Sequence, residues 1–117
     1  MQILTGPDNE ILRTRATEVT LFDEKLKKTV DEMIQTMLSP DQGDVTGIGL
    51  AANQVGLLYR IMIVTFNVNT KKDHKVVAMI NPEILWESDD QVVMEEGCLS
   101  LPKTFGKVAR PAKIKVK

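Results

Sequence analysis

A chain of 117 residues is long enough for one small domain, and with 43 % hydrophobic residues it can form a core. Its 15 basic and 16 acidic side chains give a formal net charge of -1, so there is no electrostatic case for binding nucleic acid or an anionic membrane surface. No run approaches the ~18 apolar residues of a membrane span, no basic-then-apolar leader opens the chain, and Cys98 is a single cysteine with no disulfide partner, so a cytoplasmic protein is expected.

Thr5-Gly-Pro-Asp-Asn9 reads as a turn leading into a short helical turn at residues 10–13. Leu26, Val30, Met33, Ile34, Met37 and Leu38 recur at three- and four-residue steps. That stripe predicts an amphipathic helix over residues 23–38, capped by Asp23 and ended by Ser39-Pro40, with its methionines in the core. Residues 39–46 read as a polar loop. Residues 59–66, rich in β-branched and aromatic side chains, predict a strand. A polar turn at 67–75 and a second strand at 76–80, closed by Asn81-Pro82, follow. Residues 84–87 and 92–95 flank Ser88-Asp-Asp-Gln91, which predicts a hairpin between them. Residues 112–117 alternate apolar and polar, the pattern of a half-buried strand. The pattern is still running at Lys117, so further chain is expected beyond it. The basic residues from Lys103 to Lys117 are spread along strand-like sequence and read as a solvated face.

Two segments could carry chemistry. In Gly47-Ile-Gly-Leu-Ala-Ala-Asn-Gln54, the spacing Gly47-x-Gly49-x-x-Ala52 fits a loose dinucleotide fingerprint. That fingerprint requires a buried strand leading into it, and here a polar loop precedes. Two readings remain. In one, the glycines let another chain lie against the backbone and the Gln54 amide donates to a developing oxyanion. In the other, which spacing alone favours, the segment is a tight turn with Gln54 solvated. In Glu96-Gly-Cys-Leu-Ser100, Cys98 could be a metal thiolate, a nucleophile or a small buried apolar residue. A nucleophile needs a base, and the one histidine, His74, lies in polar sequence that reads as an exposed turn. Cys98 and His74 are the only thiol and imidazole in the chain, short of the three or four ligands of a zinc-type site.

Taken together and in this order, the two segments resemble the first and second signatures of peptide deformylases, Gly-Φ-Gly-Leu-Ala-Ala-x-Gln and Glu-Gly-Cys-Leu-Ser. Asn81-Pro82, Leu101-Pro102 and Arg110 fit as well, and the resemblance covers essentially the whole chain. It implies an α+β fold, antiparallel β-sheets packed with an N-terminal amphipathic helix, as one domain over residues 1–117 that is incomplete at its C-terminal end. It implies metal-dependent removal of the N-formyl group from the formyl-methionyl N-termini of new polypeptides, releasing formate. One divalent metal is implied, iron or else zinc or nickel, and substrates met at the ribosome without a nucleic-acid or membrane contact of the chain's own.

Under this resemblance Cys98 is a metal ligand, and the Gln54 side chain and the Leu99 backbone N–H stabilise the oxyanion. Backbone groups of Ile48, Gly49 and Gly97 hold the peptide as an added strand. Met94 and Glu96 lie near the pocket for the methionine side chain, the alternatives being a core position for Met94 and an ion pair of Glu96 with Arg110. The family's third signature, His-Glu-x-x-His on a helix, does not occur in this chain, and no histidine follows Cys98. Two of three expected protein ligands and the proton-moving glutamate are therefore missing from it. The chain is accordingly expected to be inactive alone and marginally stable or prone to aggregate. The alternatives are a non-catalytic remnant that binds formyl-methionyl N-termini, or half of a split enzyme.

Overall fold

The structure is a computed structural model that describes residues 1–39, 47–67 and 73–117. Residues 40–46 of the expected loop and 68–72 of the expected turn lie outside the described residues. A four-residue helix, α1 (Glu10–Arg13), starts where the Asn9 side chain accepts the Ile11 N–H at 3.0 Å. Helix α2 (Glu24–Met37) starts at Asp23, whose carboxylate accepts the Leu26 N–H at 3.0 Å. It ends at Leu38, close to the bounds that the apolar stripe predicts. Met33 and Met37 are fully buried, and Leu26, Val30 and Ile34 pack beside them, whereas Leu38 is exposed. Buried Thr36 turns its hydroxyl back to the Glu32 carbonyl at 2.8 Å, which satisfies it inside the helix.

The helix packs on an antiparallel sheet of β1 (Gly49–Ala51), β2 (Ile61–Phe66) and β3 (Lys75–Ile80), in that order. Ile61 and Ile63 alternate inward from β2 and meet Met33, Met37, Leu50, Ala52 and Val19 in the core. The strand begins two residues later than the sequence predicts, because Tyr59 instead forms an isolated bridge with Thr17. The Asn81 side chain accepts the Val19 N–H at 2.8 Å and donates to the Val19 carbonyl at 2.9 Å. Asn81 itself sits at φ 54°, a left-handed conformation that asparagine tolerates. A side-chain amide thus mimics a strand partner for the N-terminal segment.

The predicted hairpin between residues 84–87 and 92–95 does not form. Strand β4 (Ile84–Glu87) pairs instead with β7 (Ile114–Val116), and β5 (Gln91–Cys98) pairs with β6 (Leu101–Pro111). The chain does bend at Ser88–Asp90, but the polar groups there bond to the far end of the chain. Ser88 N–H donates to the Lys113 carbonyl at 2.9 Å, Lys113 N–H to Ser88 Oγ at 3.0 Å, and Ala112 N–H to the Asp90 carbonyl at 2.9 Å. Turn residues mark where a chain changes direction and leave open which strands pair. Strand β6 is missing from the sequence reading because prolines and lysines obscure its pattern. Its irregularity is absorbed by a bulge facing Gly97–Cys98, where Lys103 takes φ 59°. Strand β7 is also not half-buried, since Ile114 and Val116 are both exposed. Lys115 lies over the Trp86 ring across the β4–β7 pair, 5.6 Å from its centroid.

On these two strand pairs Ile84, Leu85, Val93, Met94 and Phe105 are all more than half exposed, an open apolar surface of the kind that favours association. Met33→Ala is expected to lower the unfolding free energy by about 2–5 kcal/mol. Leu38→Ala, at the exposed end of the same stripe, should cost about 0.5 kcal/mol or less. Urea unfolding followed by circular dichroism reads both.

Candidate functional site

Gly47 is buried where α2, β1 and the β5–β6 turn converge. A Cβ there would lie 2.8 Å from Leu99 Cδ1, 2.9 Å from Met37 Cγ and 3.0 Å from the Met37 carbonyl. Lack of room, rather than an unusual φ, calls for glycine. Ile48 and Gly49 follow, both exposed. The Ile48 carbonyl accepts the Thr65 N–H at 2.9 Å, and Gly49 pairs with Val64. Strand β1 is the edge of its sheet, with its other side unpaired among the described residues.

Ala52–Val55 then form a 3-10 turn that ends at Gly56, φ 84°. Gln54, in the third position of this turn, reaches back so that Oε1 accepts the Ala51 N–H at 2.9 Å. That bond fixes which way the amide faces, since a backbone N–H can only donate. The Gln54 Nε2 is thereby presented to the end of β5. It donates to Ser100 Oγ at 3.2 Å and lies 3.5 Å from Cys98 Sγ. The N-terminal segment straps both parts together, with Leu4 N–H donating to the Gln54 carbonyl at 2.7 Å and Gly6 N–H to the Ser100 carbonyl at 3.0 Å. Beside Gln54 and Cys98 opens a cleft of about 400 Å³, walled also by Pro7, Leu12, Asn53 and Leu101.

Cys98 is a free, exposed thiol at the last position of β5, and the half-buried Leu99 packs against the core from the turn that follows. Gly97 pairs with Phe105, whose ring atoms lie 2.6 and 2.7 Å from where a Cβ would stand. The ring lies over the glycine, an arrangement that restores cover to a bare strand position. Met94 is exposed on β5 and takes no part in the core. Glu96 is held by Arg110 through two parallel bonds, Nε to Oε2 at 2.5 Å and Nη2 to Oε1 at 2.6 Å. The donated bonds from Arg110 hold the Glu96 carboxyl below the usual carboxylate range. His74 is exposed just ahead of β3.

The structure therefore brings Gln54, Cys98 and the Leu99 turn together and leaves Gly49 and Gly97 on strand edges. The expected tight turn forms, but Gln54 is not solvated in it, because its side chain is committed at both ends. Sequence reasoning gave no role to Ser100, although it ends the second segment. A glutamine three residues after the start of a turn was the available signal for the reach-back bond, and Ala51 in the capping position hides it.

This chain belongs to the polypeptide deformylase family, whose model matches residues 1–117. Over 124 residues it is 40 % identical to a peptide deformylase from Wolbachia sp. subsp. Drosophila simulans, covering 100 % of this chain and 66 % of that protein. Against the enzyme from Thermotoga maritima identity is 46 % over 107 residues, covering 92 % of this chain and 58 % of that protein. The crystal structure of peptide deformylase from Thermotoga maritima superposes with a TM-score of 0.84 at 43 % identity, over 98 % of this chain and 70 % of that one. The chain thus spans 58 % to 66 % of the length of these curated relatives. The fold is the α+β deformylase-like one, with antiparallel sheets and an N-terminal helix. The family uses a divalent metal. Among the described residues no three His, Cys, Asp or Glu side chains gather to hold one, so Cys98 is a lone donor and these residues do not by themselves fit a metal.

Because its carboxyl is held low, Glu96 favours the folded chain above the usual glutamate range and loses that contribution as pH falls through the lowered value. The Arg110 side chain is 64 % exposed, so solvent screens the pair. In a carbon-detected NMR titration Glu96 should titrate below ordinary glutamates, and Arg110→Ala should return it upward. No change in that variant would mean the pair does not persist in solution.

Proposed function

We propose that residues 1–117 form the substrate-recognition part of a peptide deformylase domain, which hydrolyses the N-formyl group of formyl-methionyl peptides and releases formate. The observation that supports this best is the Gln54 amide, turned by its bond to Ala51 so that Nε2 faces the sulfur of Cys98. Gln54 Nε2 and the Leu99 backbone N–H donate to the oxyanion that forms when the formyl carbon is attacked. Donors of this kind are often worth roughly 3 kcal/mol each. Backbone groups of Ile48 and Gly49 on β1, and of Gly97 on β5, bind the peptide as an added strand, for which unpaired edges are suited. Met94 and Glu96 flank the methionine side chain. Glu96, already engaged by Arg110, serves there as a fixed wall and not as a proton carrier.

Cys98 is one thiolate donor toward the family's divalent metal, iron or else zinc or nickel. The remaining donors come from sequence that follows these residues in a longer chain, or from a second polypeptide. The share of the relatives' length that this chain spans supports that division. Substrates are new polypeptides bearing formyl-methionine, met in the cytoplasm at the ribosome.

Formate release from formyl-Met-Ala-Ser tests this, run anaerobically with Fe(II) or Ni(II). The 117-residue chain alone should release no more than Cys98→Ser. Adding the His-Glu-x-x-His segment of a relative in trans should give release that depends on Cys98, and Gln54→Ala should then reduce kcat by about 10²–10³. Peptide binding without release after complementation would instead favour a non-catalytic binding module. Cys98-dependent release by the chain alone would overturn the division of the site.

A further inference from the structure

The Gln54 amide can act as an oxyanion donor only if its nitrogen stays on one side, and amide side chains rotate readily about their terminal bond. The reach-back bond to Ala51 settles the oxygen. It leaves two Nε2 hydrogens, with two acceptors of unequal quality within reach of that nitrogen. Cys98 Sγ, at 3.5 Å, is a long contact to a soft and weak acceptor. Ser100 Oγ, at 3.2 Å, is an oxygen on a residue only 4 % exposed. Its backbone is pinned from outside the turn by the Gly6 N–H at 3.0 Å. The residue that carries the hydroxyl is therefore held in place, while the long sulfur contact is the one that an incoming oxygen can replace at little cost.

We propose that Ser100 is a positioning residue for Gln54: its buried hydroxyl commits one Nε2 hydrogen and so aims the other at the position beside Cys98 where the formyl oxygen develops charge. The geometric part of this stands on the bonds above, and the catalytic consequence rests on the deformylase reading. Without the hydroxyl, the amide keeps Ala51 but loses its second anchor, and the donor wanders within its terminal torsion. Loss of one fixed donor direction should reach kcat and leave peptide binding along the strand edges unchanged.

The test is nitrogen-15 NMR of the Gln54 side-chain amide in the 117-residue chain, in Ser100→Ala and in Ser100→Thr. In the parent, one Nε2 proton should exchange with solvent markedly more slowly than its twin. Ser100→Ala should collapse that difference while the Ala51 amide proton keeps its protection, and Ser100→Thr, which retains a hydroxyl, should restore it. Equal exchange of the two protons in the parent overturns the proposal whether or not the variants fold. An undiminished difference in Ser100→Ala overturns it as well. In the complemented enzyme Ser100→Ala should lower kcat about tenfold at unchanged KM, and a change confined to KM would overturn the catalytic consequence. Absence of formate release from the complemented parent would count against the deformylase reading alone, and the proton-exchange result would still decide the role of Ser100.

Discussion

Three parts of the molecule meet at Gly47, where a side chain would force Met37 or Leu99 to shift. The end of α2 arrives through Met37, the turn between β5 and β6 through Leu99, and β1 begins two residues later. At this point the Leu99 side chain and Met37 close in on the bare backbone of Gly47. The buried methionines of α2 transmit the constraint, because Met33 and Met37 seat the helix on Leu50, Ile61 and Ile63. Close-packed cores resist small displacements, so this packing backs the hydrogen bonds by which Ala51 and Ser100 hold Gln54 beside Cys98.

The polar part of the site is built on a different economy. Every bond around Gln54 links segments distant in sequence or closes a turn. Ala51 fixes its oxygen, Ser100 takes one hydrogen, and the N-terminal strap at Leu4 and Gly6 ties the two backbones. Hydrogen bonds that satisfy one another in this way hold geometry more firmly than any single bond would. The β5–β6 hairpin contrasts with this, since Val93, Met94 and Phe105 are open to solvent. The side of Cys98 that faces Gln54 is tied by hydrogen bonds, and the hairpin presents apolar surface.

Much of the architecture is legible in the sequence. The three- and four-residue steps from Leu26 to Met37 gave a helix with nearly correct ends, because an apolar stripe and a capping aspartate are local signals. Strands β2 and β3 were legible for the same reason. Pairing was not. Ser88-Asp-Asp-Gln91 looks like a hairpin turn, yet β4 joins β7 from the far end of the chain, since the hydrogen bonds of residues 112–113 compete successfully for the turn's polar groups. Strand β6 carries two prolines and a bulge, so its periodicity is broken where its pairing is not.

The sequence by itself determined the family, through two segments whose residue types and order are too specific to arise from composition. It also determined that Cys98 would have few companions, since a chain with one cysteine and one histidine has little else to offer a soft metal. Only the tertiary structure decided that Gln54 is turned toward the sulfur, that Glu96 is engaged by Arg110, and that the Gln54 amide meets Ser100. Those are distances between residues up to 46 positions apart. A local pattern encodes how a segment folds, but which donor meets which acceptor is settled when packing at Gly47 and along α2 brings the segments into register.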